Sequence, residues 1–542
     1  MASSAQKPTM RVKDAPSCQA WLETLAPSPR ERVTAISVLL ERLLRGDVAP
    51  DPCFECLELA RVELVLAIED AVRPLQVAPI PFVPEQRAVL TELHGALLAL
   101  RDAFKRVYAR MSDARSLDTR SVIPGATNAL RVALPLARAL DAQSRAMALL
   151  LGCRTLVGPQ AWDELGLMAQ HMRRTTFLDQ SLPDRVALTQ PNTSRGAFVY
   201  PLLLLFAGCE GFPAAERAMI DKLARRWATR VGFGYEAAQS GPTRDPGALL
   251  ITGPGPRLRL LTEKLLRSLE SRRSEWLSDE RRAGRAALGL DTSALTELLN
   301  HLDEAWSPEA IHDVSARPLG AALRVRFGLP SFWGAHTELG LGESPGWSGV
   351  AAATYRSGSW ESDSVLHRAL GTVASARDPV AALMAEAQSE RIHRSEGDLI
   401  VFDRHSPTPS ASLGDIVALL PVGRDDDGKT DSSRFVLGRV VSLQQFAELS
   451  GDTSPTHRVG VRILPGRAVP VGVRLLDDLE YSDAFLLRSI TGVPTVLAMR
   501  PGDVPKGARI SLREGADESR VFAFSRIGYG PDYQLQAISS SY

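Results

Sequence analysis

The chain has no excess of charge of either sign, few cysteines and no long apolar run. Its 542 residues contain 63 basic and 63 acidic side chains, so the formal net charge is zero. Proteins that bind nucleic acid by general electrostatic attraction are usually basic, and we therefore expect no nucleic-acid partner. Five cysteines in a chain of this length exclude a disulfide scaffold.

Signals for secretion and for membrane insertion are also scarce. Residues 1–17 (MASSAQKPTMRVKDAPS) have no apolar core, so the sequence predicts no signal peptide. The longest apolar run, 198–207, is interrupted by Pro201 and reaches only about half of a membrane span. We therefore expect a soluble protein without a membrane span, in a reducing compartment such as the cytoplasm.

Signatures of catalytic and metal sites are missing as well. The pair of cysteines in 53–56 (CFEC) lies in a helical context without a second pair, which favours a structural role over a redox or zinc site. The turn 253–256 (GPGP) lacks the lysine of a phosphate-binding loop, and its two prolines remove backbone donors. Segment 346–349 (GWSG) is not a nucleophile elbow. The sequence thus predicts no enzyme, no cofactor and no metal.

The first half of the chain has the pattern of helices. We expect a disordered tail over 1–14 and an all-helical domain over 15–305. Ser28 and Glu31 have the spacing of a capping box around Pro29. The clearest apolar stripe steps by three and four residues through Leu90, Leu93, Leu97, Leu100, Phe104 and Val107.

From about residue 316 the apolar period changes from 3.6 to 2, which is typical of strands. The predicted strands are 322–327, 398–403, 414–420, 434–442, 458–464, 469–475, 494–500, 508–513 and 519–525. Short strands at this density favour a small closed barrel. We therefore predict an α+β protein, with a β-barrel over 316–465 and a C-terminal β extension over 466–542. Residues 340–394 form an insertion, helical over 363–394.

Three strand segments resemble a divergent PilZ-type domain. The first is 397–403 (GDLIVFD), which is followed by Arg404, His405 and Ser406. The second is 413–419 (LGDIVAL), with a Gly-Asp pair before an apolar strand. The third is 436–441 (VLGRVV), which leads into 459–463 (VGVRI). The resemblance implies a PilZ-like fold for the predicted barrel.

Taken over most of its length, the chain resembles the cyclic-di-GMP receptor family typified by FimW. In that family a long helical region precedes a PilZ-like barrel, and the members are associated with surface attachment and type IV pili. Segments 162–165 (WDEL) and 200–205 (YPLLLL) carry the resemblance in the helical half. It implies cyclic-di-GMP as the ligand and a protein partner for the helical region.

The resemblance assigns the ligand contacts to Arg317, Asp403, Arg404, Ser406 and Arg439. Arginine suits this ligand because its planar fork binds phosphate oxygens or guanine O6 and N7 in pairs.

The sequence departs from the family's two ligand motifs. In the R-x-x-x-R motif Arg317 matches the second arginine, whereas Asp313 stands at the first. In the [D/N]-x-S-x-x-G motif Arg404 replaces the acid and Pro409 the glycine, and Asp403 is one residue out of register. Losing one bidentate arginine would cost about two decades of affinity. Arg391, Arg394 and Arg439 would compensate only if the fold brings them together.

Three hypotheses follow from these residues. The first is a non-enzymatic bacterial signalling protein, in which a PilZ-like module senses cyclic-di-GMP and changes its relation to a helical platform. The second is an adaptor of the same architecture that binds no nucleotide. The third is an enzyme whose site is assembled from scattered residues, which would require a deep pocket with convergent titratable groups.

Overall fold

The structure of the protein is a computed structural model, which divides the chain into two compact units, Met1–Val314 and Ser315–Tyr542. It describes residues 12–46, 48–114, 128–174, 177–182, 184, 186, 192–236, 248–249, 257–278, 290, 292–307, 322–327, 388–396, 398–404, 411–421, 436–446, 457–465, 467–475, 482–488, 495–499, 504, 507–514, 517–529 and 533–540.

The first unit is built mainly from helices. In chain order they are α1 (Ala15–Leu22), α2 (Pro29–Arg45), α3 (Pro50–Val77), α4 (Pro84–Ala114), α5 (Asn128–Gly152), α6 (Pro159–Arg174), α7 (Ser194–Phe206), α8 (Ala214–Trp227), α9 (Glu263–Ser278) and α10 (Thr292–Ala305). The predicted stripe of α4 is confirmed, since Leu93, Leu100, Phe104 and Val107 are all at most 1% exposed. None of the helices in the described part of the chain is long and apolar enough to cross a bilayer.

The starts of the first two helices differ from the sequence prediction. Helix α2 begins at Pro29 as expected, but the Ser28 side chain makes no capping hydrogen bond, so the predicted capping box is wrong. Helix α1 has the box instead, because Asp14 accepts from the Ser17 backbone and Ser17 Oγ accepts from the Asp14 backbone. Of the predicted tail, Val12 is buried and Asp14 is a cap, whereas 1–11 lie outside the described residues.

The first unit also contains short strands, which the prediction of an all-helical region missed. They are β1 (Ser181–Leu182), β2 (Asn192–Thr193), β3 (Gly232–Glu236), β4 (Ala248–Leu249) and β5 (Arg257–Leu261). Strand β5 pairs with both β3 and β4 in an antiparallel sheet. Strands as short as these carry too few residues for a period of two to stand out from a helical pattern.

Two buried arginines join the long helices of this unit. Arg61 on α3 is 0% exposed, and Arg138 on α5 is 2% exposed. Arg61 donates to Glu58 and, over 2.7 Å, to Asp184 Oδ1. Arg138 donates to the same Glu58 carboxylate over 2.9 Å, and its Nη1 lies 3.6 Å from Asp184 Oδ2. The two carboxylates therefore bridge α3, α5 and the segment that carries Asp184.

The Asp184 carboxylate is held in its charged form. Burial alone would raise its pKa, but the hydrogen bond from Arg61 and the charges of Arg61 and Arg138 outweigh burial, so that the pKa lies well below its usual range. A buried pair stabilises a fold weakly, whereas removing one partner leaves the other charge uncompensated.

We expect Asp184→Asn to destabilise the helical unit by about 3 kcal/mol, because Arg61 and Arg138 lose a shared counter-charge in a buried site. The control is Asp70→Asn, which removes an exposed ion pair with Arg73 and should cost less than about 1 kcal/mol. Urea unfolding followed by the helical circular dichroism signal measures both. Equal losses for the two variants would contradict the importance of the buried pair.

The second unit contains two closed antiparallel barrels. The first comprises β6 (Ala322–Phe327), β7 (Gln388–Glu396), β8 (Leu399–Arg404), β9 (Ile416–Pro421), β10 (Val436–Gln445) and β11 (His457–Ile463), in the order β10-β11-β8-β7-β6-β9. The predicted α+β fold class, a helical region followed by a barrel, is confirmed. The predicted helix over 363–394 is wrong for residues 388–394, because they belong to strand β7. Residues 340–387 lie outside the described part of the chain.

The predicted C-terminal β extension closes into a second barrel of its own. Its strands are β12 (Arg467–Leu475), β13 (Ser482–Arg488), β14 (Thr495–Met499), β15 (Arg509–Glu514), β16 (Asp517–Tyr529) and β17 (Gln534–Ser540). The order β12-β13-β14-β17-β16-β15 needs β13 and β17, which the sequence analysis did not predict. Ile416, Ala418 and Leu437 of the first barrel share one apolar core with the second, so the two barrels pack together.

Candidate functional site

An ion pair lies on the outer face of β8 and includes Asp403, one of the residues that the resemblance assigns to the ligand. Asp403 accepts two hydrogen bonds from Arg458, over 2.7 Å from Nε and 3.2 Å from Nη2. The two residues are directly opposite each other in the register of β8 and β11. The Arg458 guanidinium also lies 5.4 Å from the ring centroid of Phe446. Two hydrogen bonds and a ring contact hold the plane of this guanidinium in place.

A row of buried polar residues occupies the inner face at the same end of the barrel. Arg404 is 4% exposed, His457 0% and Gln445 1%. His457 is the register partner of both Arg404 and Gln445, so the three lie side by side across β8, β11 and β10. Two residues further along each strand are the buried Phe402, Val459 and Leu443. The apolar core of the barrel therefore ends in this polar layer.

His457 is held neutral by its surroundings. Burial lowers its pKa to about 4, and the nearby Arg404 charge adds to the effect, while the Asp403 charge opposes it. A histidine that is neutral when folded takes up a proton on unfolding at acid pH, so that stability is lost as the pH falls.

Arg439 lies at the other end of the barrel. It is opposite Ile416 of β9 and Arg462 of β11, and Arg462 is four residues, or about 13 Å, along the strand from Arg458. Arg439 is exposed, and its guanidinium lies beside Gly414. Asp403 and Arg404, which are neighbours in sequence, therefore lie on opposite faces of β8 at one end of the barrel, and Arg439 lies at the other end.

The remaining candidate residues are placed as follows. Arg317 and Ser406 lie outside the described residues. The backbone register places Arg391 of β7 opposite Asp403 on the other side of β8, and Arg394 opposite Val401. The sequence analysis missed Arg458, although the alternation of 457–463 (HRVGVRI) places it on the polar face of a strand. No cluster of metal ligands occurs in the part of the chain that the structure describes.

We expect the first barrel to become less stable between about pH 6.5 and about pH 4, by about 2 kcal/mol at about pH 5, because unfolding lets His457 take up a proton. Hydrogen exchange of the β8, β10 and β11 amides, corrected for intrinsic rates, measures this loss. His457→Gln should flatten the dependence, whereas the exposed His171→Gln should leave it unchanged. A wild-type dependence in the His457 variant would contradict this assignment.

Comparisons with known proteins identify the helical part of the chain. Residues 16–238 match the family model of the cyclic-di-GMP receptor FimW, N-terminal domain. Neither the curated proteins nor the solved structures contain a significant match to this chain. The match spans α1 to α8 and confirms the resemblance predicted for the helical half. Over residues 16–238 the chain is therefore similar to the N-terminal domain of the cyclic-di-GMP receptor FimW.

Proposed function

We propose that this protein is a non-enzymatic, cytoplasmic bacterial receptor for cyclic-di-GMP, and that its first barrel is the PilZ-type module that binds the ligand. The observation that supports this most is the match of residues 16–238 to the family model of the cyclic-di-GMP receptor FimW, N-terminal domain. Along the chain this half is followed by a closed antiparallel barrel, the order that the resemblance implies.

The proposed ligand site is the end of the barrel that carries Asp403 and Arg458 on its outer face and the buried Arg404 on its inner face. The resemblance adds Arg317 and Ser406, which lie outside the described residues. Arg458 uses Nε and Nη2 for Asp403, and its Nη1 has no hydrogen-bond partner in the described part of the chain. This nitrogen is available to a phosphate oxygen or to the O6 and N7 atoms of guanine. Asp403 would accept from the guanine amino group. Arg439 lies at the other end of the barrel and is not part of this proposed site.

Binding would connect the barrel to a partner through the helical region. A ligand that favours one arrangement of the two units shifts their population without any chemical step. By the same resemblance, the protein partner of the helical region would belong to the machinery of surface attachment or type IV pili.

A nucleotide-free adaptor is the second candidate, and one observation favours it. Asp403 and Arg458 already satisfy each other as a bidentate pair in the structure. A ligand that binds either Asp403 or Arg458 must compensate for the hydrogen bonds that this pair would lose. The motif positions that depart from the family pattern remove further contacts.

Titration of the full chain with cyclic-di-GMP in a calorimeter distinguishes the two candidates. The receptor predicts saturable binding that Arg458→Gln weakens about tenfold or more, because a charge-assisted contact is lost. The matched control is Arg462→Gln on the same strand, where the arginine is 62% exposed and its Nε lies 3.5 Å from Asp398.

Two results would contradict the receptor. Absence of heat up to high micromolar ligand would favour the adaptor. Equal affinities of the Arg458 and Arg462 variants would show that the ligand binds elsewhere than at the Asp403 end of the barrel.

A further inference from the structure

An open cleft lies among helices of the first unit. Its volume is about 460 Å³, and its walls come mainly from α3, α5, α7 and α8, with Leu97 of α4 and Cys209 added. This volume lies within the usual range of small-molecule sites. Along α8, residues Arg217, Asp221 and Arg225 recur every four positions, so that one face of the helix lines the cleft.

The cleft carries more positive than negative charge. Five cationic side chains and two carboxylates line it: Arg73, Arg145, Arg217, Lys222, Arg225, Glu69 and Asp221. Three of the arginines have carboxylate partners, namely Asp70 for Arg73, Asp141 for Arg145, and Asp221 with Glu69 for Arg225. Arg217 and Lys222 make no ion pair within the described residues. The surplus of charge therefore resides on these two side chains.

Arg217 is the unusual member, because it is buried and forms no ion pair with a carboxylate among the described residues. It is 6% exposed, and it donates only to the backbone carbonyls of Phe212 and Gln76. Its Nε is buried and has no hydrogen-bond partner. A buried charge of this kind is costly unless an anion or a network of acceptors compensates for it.

The electrostatics of the neighbourhood agree with this geometry. Burial lowers the pKa of the Arg217 guanidinium, and the acidic neighbours that oppose the effect are two thiols, Cys209 and Cys153, and Glu216. Burial and the charge of Arg217 together lower the pKa of Arg154 to about 10. The positive charges of Arg217 and Arg154 thus repel each other, and a bound anion would stabilise both.

The rest of the cleft is apolar and partly aromatic. Val72, Leu149, Leu204 and Tyr200 line it and are buried. The guanidinium of Arg225 lies 5.1 Å from the centroid of the Tyr200 ring, and its Nη2 donates to the Tyr200 hydroxyl over 3.1 Å. A ligand for this cleft therefore needs an anionic group for Arg217 and an apolar or planar body for these walls.

We propose that the cleft among α3, α5, α7 and α8 binds a phosphate ester of about the size of a nucleoside monophosphate, with its phosphate paired to Arg217. The phosphate oxygens accept from the guanidinium hydrogens that the backbone carbonyls leave unused. The body of the ligand lies against Leu149, Leu204 and Tyr200. This site is independent of the barrel site, since none of its residues belongs to the second unit.

The test uses calorimetric titration of the full chain with three probes: guanosine monophosphate, guanosine and cyclic-di-GMP. Guanosine monophosphate should bind saturably and guanosine should not, because the phosphate supplies the contact with Arg217. Arg217→Gln should weaken binding about tenfold or more. Cyclic-di-GMP binding should persist in Arg217→Gln, because its proposed site is on the barrel, and its loss in this variant would contradict the separation of the two sites.

Since Arg217 also supports the backbone, a second pair of variants keeps it intact. Ala218 is exposed and lines the cleft, whereas Ala215 is exposed on the same helix and does not. Ala218→Glu adds a negative charge in the cleft and should also weaken binding about tenfold or more, whereas Ala215→Glu and Arg458→Gln should leave it unchanged.

Three results would overturn the proposal. The first is absence of binding at millimolar guanosine monophosphate, the second is an equal effect of the two alanine variants, and the third is loss of binding in Arg458→Gln.

Discussion

The compensation of buried guanidinium groups is the constraint on which the helical unit depends. Arg61 and Arg138 are almost fully buried, and each reaches Glu58 and Asp184. Because a buried charge tolerates little separation from its counter-charge, α3, α5 and the segment at Asp184 are fixed relative to one another. Two of these elements, α3 and α5, are also walls of the cleft, so the same network shapes the proposed anion site.

The same rule distinguishes structural arginines from candidate binding arginines. Arg458 shares two hydrogen bonds with Asp403 and keeps Nη1 for another acceptor. Arg217 is more buried and has only backbone carbonyls. A guanidinium with satisfied carboxylates stabilises a fold, whereas one with unused donors is suited to an anionic ligand. The unused donors of Arg217 lie on α8 of the first unit, and those of Arg458 lie on β11 of the second. We therefore propose two separate sites.

Strong apolar periodicity is what made parts of the fold predictable from the sequence. The stripe of α4 and the alternation in β8 to β12 survive in the structure, because each has a long run of apolar residues on one face. Strand β7 (QSERIHRSE) has one apolar residue, Ile392, and neither its pairing nor the closure of the barrel is visible in such a pattern. Strand β13 (SDAFLLR) pairs with its chain neighbours β12 and β14, but its four consecutive apolar residues hide the period of two. Strand β17 (QLQAISS) pairs with the preceding strand β16 and with β14, and it has only three apolar residues.

The candidate site shows the same limit. The resemblance assigns Asp403 and Arg404 through the segment that carries it, but Arg458 contacts Asp403 from 55 residues away along the chain. The distance between Arg439 and these residues depends on the register of β10 with β11, which the sequence does not reveal. Cleft residues such as Arg217 resemble any other arginine of an amphipathic helix, and only the structure shows that Arg217 lacks a carboxylate.

The central claim is that the Asp403 end of the first barrel receives cyclic-di-GMP. Hydrogen exchange of the full chain with and without this ligand tests the claim most directly. The account predicts slower exchange in the strands that carry Asp403 and Arg458, namely β8 and β11. Unchanged exchange throughout the second unit at saturating ligand would contradict it.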